Sequence, residues 1–462
     1  MKFLRLTALL LLAAVLMGSV ISCRPTDEPD LPQPPTGTLG SVTPPAQLDS
    51  LEESFSDAFA GLYEAKESDL TLEERDGTLT LVKYTGSEKR VRIPQKVGAS
   101  TLEAIAANAF AASGVTALAL PESLSRIEKG ALADCKALEA LSTPLSTEEG
   151  TAFLGYLFGA SGYLDNARDV PATLKCLQLT GGAKALADYA LFDCNDLICV
   201  SLPESVAALG AYSLYRCVSL QLLKTAELET VGEGALGGCV ALEELVFSQR
   251  LISLGFGSLE GCTGLRRLTL PFVGGTPTEN TYLAYVFGAE VPDFAKGYYP
   301  ARLQEVVLLP SCTSLGDYAF FEFESLRLVT LPRGLTKVGV RAFAGCTSLV
   351  ELTFGEGLEQ IRENAFTGCT RLETVALGDS LSGIGINAFY GCLSLKKITL
   401  PATLKELPAS CFANCVSLSS VNLGGVTSVG KNAFHNCVAL ERLTAAGDVA
   451  FEDGNEKAEA LK

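Results

Sequence analysis

The sequence predicts an α/β solenoid: about twelve stacked units of 22–23 residues, each giving a short strand to one parallel face and a short helical turn elsewhere, with a strand-pair cap at the N-terminal end. Three observations carry this. A small residue followed by Phe or Leu recurs, which puts Phe110, Leu132, Leu191, Leu214, Leu236, Leu259, Phe320, Phe343, Phe366, Phe389, Phe412 and Phe434 in equivalent places, nine of the eleven spacings being 22 or 23 residues. Each unit carries one stretch of alternating apolar and polar residues, the pattern of a half-buried strand. Finally, 48% of the chain is hydrophobic, enough for a continuous core and too much for global disorder.

The unit SLVELTFGEGLEQIRENAFTGCT, Ser348 to Thr370, shows the division of labour. Leu352 and Phe354 share one strand face, Glu351 and Thr353 the other, and Gly355 turns the chain. Leu358 and Ile361 form a second apolar contact, and Asn364 is expected to cap a brief helical turn that carries Ala365 and Phe366 inward. One unit cannot bury these side chains alone, whereas stacked units can.

The full pattern, LxxLxLPxxLxxIxxxAFxxCxx, is similar to the BspA-like leucine-rich repeat family of bacterial surface proteins over about residues 70–445. The resemblance implies a leucine-rich repeat solenoid at the cell surface that adheres to host matrix proteins or other cells. Two other readings stay open: a glycan- or peptide-binding component of an outer-membrane nutrient system, and a passive envelope protein.

In chain order, residues 1–22 read as a secretory signal: basic Lys2 and Arg5, a leucine-rich run, then small residues. Val20-Ile21-Ser22-Cys23 resembles the bacterial lipobox, which implies cleavage before Cys23 and its acylation as a membrane anchor. Residues 23–47, rich in proline and acidic, are expected to be an extended linker. Asp27 and Glu28 look like the export signal of surface lipoproteins, which implies an outer-membrane lipoprotein facing the exterior, with a periplasm-facing orientation as the alternative. Residues 48–69 have helical spacing and either pack on the first rung's end or extend the stalk. Residues 70–94 look like the cap of the stack that occupies 95–445, and 446–462 read as a polar tail.

The two irregular spacings are alike. TAFLGYLFGASGY from Thr151 matches TYLAYVFGAEVPD from Thr281, and Gly159 and Gly288 stand 129 residues apart, as do Leu174 and Leu303. A block therefore appears twice, with insertions at about 143–173 and 271–302. Each is expected to be a short helix plus loop flanking the solenoid, with Thr147 and Thr278 as N-caps and Gly159 and Gly288 as terminators. Each insertion buttresses the stack or forms a protruding binding edge, for which Tyr298 and Tyr299 are the candidates.

The fifteen cysteines invite a chemical reading, but ten of them, Cys135, Cys194, Cys217, Cys239, Cys262, Cys346, Cys369, Cys392, Cys415 and Cys437, occupy one column where Ser113 and Phe323 also occur. A ligand set would not tolerate that exchange, so the column reads as buried thiols filling small apolar volume. Cys411 of CFANC reads likewise. Cys176 and Cys199, 23 residues apart at outward strand positions, are the candidate disulfide. One histidine, His435, no CxxC and no phosphate-cradling loop leave no catalytic residue, metal site or cofactor expected. A formal charge of -17 opposes nucleic acid binding. The expected partner is an extracellular protein or a glycan, with the membrane reached through the N-terminal lipid. The outward strand residues Glu243, Glu244, Arg266, Arg267, Glu351, Glu373, Lys396 and Lys397 place opposite charges on neighbouring rungs, either as stabilising ladders or as a ligand face.

Overall fold

The computed structural model describes residues 48–461 apart from 76, 146–150 and 226, so the signal segment, Cys23, Asp27, Glu28 and Thr147 lie outside the described residues. The chain winds as a solenoid of parallel strands. One row runs through Tyr63–Glu64, Arg90–Arg92, Ala117–Ala119, Ala140–Pro144, Cys176–Thr180, Cys199–Ser201 and Leu222–Lys224. It continues through Glu244–Val246, Arg267–Leu270, Glu305–Leu308 and Leu328–Thr330, and then through the strands from Glu351–Thr353 to Arg442–Thr444. Registers are in step: Leu118, Leu141, Leu177 and Val200 are successive partners, and all four point inward and are fully buried. A second row of two-residue strands, such as Lys337–Val338, Gln360–Ile361 and Gly383–Ile384, lines another side.

The third side carries the Phe column. Phe320, Phe343, Phe366, Phe389, Phe412 and Phe434 stack at 5.0–5.8 Å between centroids, with interplanar angles of 8–25°. Neighbouring turns are joined by backbone bonds such as Phe343 N–H to Ala365 O (2.8 Å) and Phe366 N–H to Ala388 O (2.7 Å). The expected helical turns are instead hydrogen-bonded turns built on left-handed residues. Asn364 has φ 55° and Gly368 φ 74°, so Asn364 reverses the chain rather than capping a helix. Asn suits both roles because its short amide bonds locally in either, and here Asn364 Oδ1 accepts from the Thr367 hydroxyl at 3.3 Å.

Both ends are closed. Within residues 70–94, Leu70–Arg75 and Thr78–Tyr84 form an antiparallel pair while Arg90–Arg92 joins the parallel row, and Tyr84 stacks on Phe110 at 5.9 Å, ending the core on an aromatic face. The residues expected as a polar tail fold back over the last rung, adding strand Ala450–Phe451 and helix Glu456–Glu459. Buried Asn455 accepts from Phe434 N–H (3.1 Å) and donates to Gly430 O (3.0 Å) and Glu452 O (2.7 Å), so it serves an otherwise unpaired rung edge.

The long units differ from expectation in one respect. Their helical pieces, the 3-10 turns Leu154–Phe158 and Leu283–Phe287, end at left-handed Gly159 and Gly288 as anticipated. They lie within the stack rather than beside it. Leu132 N–H bonds Leu157 O, and Leu154 N–H bonds Ala190 O (both 2.8 Å); Leu259 N–H to Val286 O and Leu283 N–H to Ala319 O repeat the arrangement. Each insertion is thus an extra rung on the turn side, and Leu154, Leu283 and Val286 are fully buried. Thr278 lies in a bend outside any helix, and the turn begins after Tyr282.

Helix α1, Leu48–Phe59, ends ten residues short of the helical segment expected to Asp69 and docks neither on the rung end nor away from the body. It lies on the strand face. Leu51, Phe55 and Phe59, spaced by four, meet Cys176, Ile198, Cys199 and Leu222. The Arg90 guanidinium donates to the last carbonyls of the helix and just beyond, Asp57 O (3.0 Å), Ala58 O (3.3 Å) and Ala60 O (2.9 Å), supplying the cation that the last turn of α1 lacks. Lys224 sits 5.3 Å over the Phe55 ring, about one turn before the end of the helix.

Candidate functional site

Helix α1 divides the strand face in two. The first outward position of each strand forms a register column that starts Arg90, Ala117, Ala140, Cys176, Cys199, Leu222 and continues Glu244, Arg267, Glu305, Leu328, Glu351, Thr374, Lys397, Ser420, Arg442. From Ala117 to Leu222 the column is small or apolar, and Ala117, Ala140, Cys199 and Leu222 are buried. From Glu244 onward it is mostly charged or polar, and no described element covers it. The switch follows from burial: a charge under α1 would lose its water without a partner. Outward Ala, Cys and Leu are the sequence signal for this docking site, one that the repeat pattern of inward residues does not contain.

On the open part, the predicted residues fall into two sets. Arg266 pairs with Glu243 (3.5 Å), Arg267 lies between Glu244 (3.7 Å) and Glu305 (3.4 Å), and Lys396 pairs with Glu373. These are ladders between rungs, each weak at a solvated, screened surface. Lys396 also holds the Glu373 carboxyl below the usual carboxylate range through their hydrogen bond. Glu351 and Lys397 are exposed and have no ion-pair partner among the described residues. Beside Glu351 runs an open groove of about 770 Å³ lined by Leu328, Thr330, Arg333, Thr353 and Glu356. Leu328 is 40% exposed, an apolar contact flanked by a carboxylate and a guanidinium. The structure thus brings Glu351, Leu328 and Arg333 together, with Lys397 two rungs further on.

Tyr298 and Tyr299 part company. Tyr298 is exposed. Tyr299 packs flat on Phe323 (4.1 Å, 7°), and its hydroxyl donates to Phe321 O at 3.2 Å. It is a structural residue rather than part of a binding edge.

The cysteine column is buried as expected and does more than fill volume. Cys369 Sγ donates to Phe343 O (3.1 Å), Cys392 to Phe366 O (3.3 Å) and Cys415 to Phe389 O (3.2 Å), so each thiol ties its rung to the one before. Burial pushes the Cys217, Cys262 and Cys369 thiols up to about 12. Cys176 and Cys199 are direct register partners, and both thiols are free. They are not both exposed, as the sequence reading supposed: α1 leaves Cys199 buried and Cys176 partly so. Cys199 donates to Cys176, which lowers the Cys176 thiol and raises Cys199. His435 is exposed, and among the described residues no cluster of three or more His, Cys, Asp or Glu side chains could hold a metal ion.

The family model described as BspA type leucine rich repeat region (6 copies) matches residues 89–156, 172–276, 295–375 and 339–452, together more than half of the chain. The chain belongs to the BspA-type leucine-rich repeat family. Among solved structures, this BspA-type chain is similar to a leucine-rich repeat protein from Bacteroides ovatus, with 19% identity and a TM-score of 0.36 over 84% of this chain and 99% of that one. A leucine rich cell surface protein from Faecalibacterium prausnitzii matches at 17% identity and a TM-score of 0.30 over 86% and 97%. The pneumococcal vaccine antigen PcpA matches at 17% and 0.30 over 84% and 98%. A comparison with curated proteins finds no match. No described helix is long and apolar enough to cross a membrane.

Proposed function

We propose that this BspA-type protein is a lipid-anchored, cell-surface binding protein that presents the open strand face, from Leu328 to Lys397, to a macromolecular partner, in adhesion or protein–protein attachment. One observation carries the reading: the strand face is covered by the chain's own helix over the early rungs and left bare beyond them, where Leu328, Glu351 and Lys397 face solvent. A bare face combining an apolar centre with unpaired charges of both signs suits a protein or peptide surface. Cys23 provides the anchor in this reading, and residues 23–47 hold the solenoid away from the lipid surface.

Protease treatment of intact cells tests the display, which predicts loss of the protein without lysis; survival of the intact chain would place it inside. An array of matrix proteins and glycans probed with detergent-purified full chain tests the partner class. Saturable binding to a protein supports the reading, and binding confined to glycans overturns it in favour of nutrient capture.

A further inference from the structure

The duplicated block contains its own control. In the first copy, Asp165, Arg168 and Asp169 form a surface clip, with Arg168 reaching Asp165 at 3.0 Å and Asp169 at 2.8 Å. At the 129-residue offset the second copy has Phe294, Gly297 and Tyr298 in those places, and Val291 in place of Gly162. Val291 is 43% exposed, Phe294 68% and Tyr298 42%, on one loop built around the turn Pro292–Phe294. The first copy exposes one large apolar side chain here, Leu164, where the second has Asp293. Two loops that continue the same kind of rung thus differ in that one closes its surface with ion pairs and the other opens it with two aromatics and a valine. Rung packing does not require the aromatics, because the first copy manages without them.

We infer that Val291, Phe294 and Tyr298 form a docking edge for a partner protein that offers an apolar pocket inside a basic rim. The rim follows from charge. Glu290 and Asp293 flank the trio, are exposed and have no ion-pair partner among the described residues, while the one lysine of the loop, Lys296, is held by Glu324 at 2.9 Å. The same carboxylates, on a chain of formal charge -17, oppose an anionic lipid surface or a second copy of the chain. Exposed aromatics are the side chains that dominate binding energy once desolvated. The inference rests on the reading of the chain as a binding protein and adds a contact outside the strand face.

The test is selection of a random peptide library displayed on phage against the full chain in detergent, with counter-selection on V291G/F294D/Y298D, which restores the first copy's residues at this edge. Enriched peptides are expected to join an aromatic or aliphatic residue to Lys or Arg and to bind the triple variant at least about tenfold more weakly. They should bind E351K/K397E as they bind the native chain, which separates this edge from the strand face. Absence of trio-dependent peptides, or enrichment of acidic ones, would overturn the inference. So would trio-dependent flotation with phosphatidylglycerol vesicles or trio-dependent dimerisation in sedimentation. A thermal melt checks the triple variant, and F294D alone replaces it if the melt is lowered.

Discussion

Tyr299 does in the second long rung what Asn166 does in the first, from a different position in the chain. Asn166 Oδ1 accepts from Gly155 N–H (2.9 Å) and its Nδ2 donates to Phe192 O (2.8 Å). In the second copy the equivalent of Asn166 is Ala295, and the Tyr299 hydroxyl donates to Phe321 O and receives a bond from the Ala284 backbone. One buried hydroxyl serves the same two backbone groups as one buried amide. Removing it strands both, so Tyr299→Phe should lower stability by about 1–3 kcal/mol in urea denaturation. Tyr298→Phe should change it by less than about 0.5 kcal/mol.

The Phe column should tolerate little. Phe366 is fully buried between Phe343 and Phe389 at 5.3 and 5.0 Å. Phe366→Ala is expected to cost about 3–5 kcal/mol, read from the same denaturation curves. A cost below about 1 kcal/mol would mean the rungs can collapse into the space.

The thiol column makes stability depend on pH at the alkaline end. An ordinary thiol titrates near 9.0, whereas Cys217, Cys262 and Cys369 are raised to about 12 when folded. The folded chain therefore keeps protons that the unfolded chain releases. Stability from these groups is intact below pH 9 and falls between pH 9 and about 12, by up to about 1.4 kcal/mol per pH unit per thiol. Cys262→Ala with Cys369→Ala should flatten the fall between pH 9 and 11; an unchanged slope would assign it to other groups.

The pair beneath α1 should react in order. Cys176 is partly exposed and its thiol is lowered by the bond from Cys199, so iodoacetamide should modify Cys176 first. Phe55→Ala should speed labelling of Cys199 severalfold, because Phe55 packs over it. We further propose that oxidised glutathione closes the pair into a disulfide by exchange, releasing two equivalents of the reduced form; intact mass would then fall by two hydrogens, and an unchanged mass would remove the proposal.

The repeat was legible because each column has one demand. Inward strand positions want Leu or Val, the turn wants Phe, and the thiol position wants small volume, so Leu352, Phe366 and Cys369 announce themselves every 22–23 residues. Other features were hidden for physical reasons. The spacing of Leu51, Phe55 and Phe59 says that α1 buries one face but not against what, and its counterpart is spread over Ala117, Ala140, Cys199 and Leu222, in four separate rungs. Asn364 suits a helix cap as well as a left-handed turn. Polar composition made 446–462 look solvated, although Asn455 spends its amide on the last rung's open backbone. For Arg266 and Arg267 the sequence leaves two roles open, a ladder or a ligand face, and the distances to Glu243, Glu244 and Glu305 favour the ladder.

The central claim is that the uncovered strand face binds the partner, and a comparison of variants tests it most directly. The array protein bound most tightly by the full chain would be titrated against the native chain, against E351K/K397E on the open face, and against E53K on α1, whose exposed side chain lies away from that face. The account predicts a weakening of about tenfold or more for the double variant and none for E53K. Equal affinities across all three, or no saturable binding to any array protein, would contradict it.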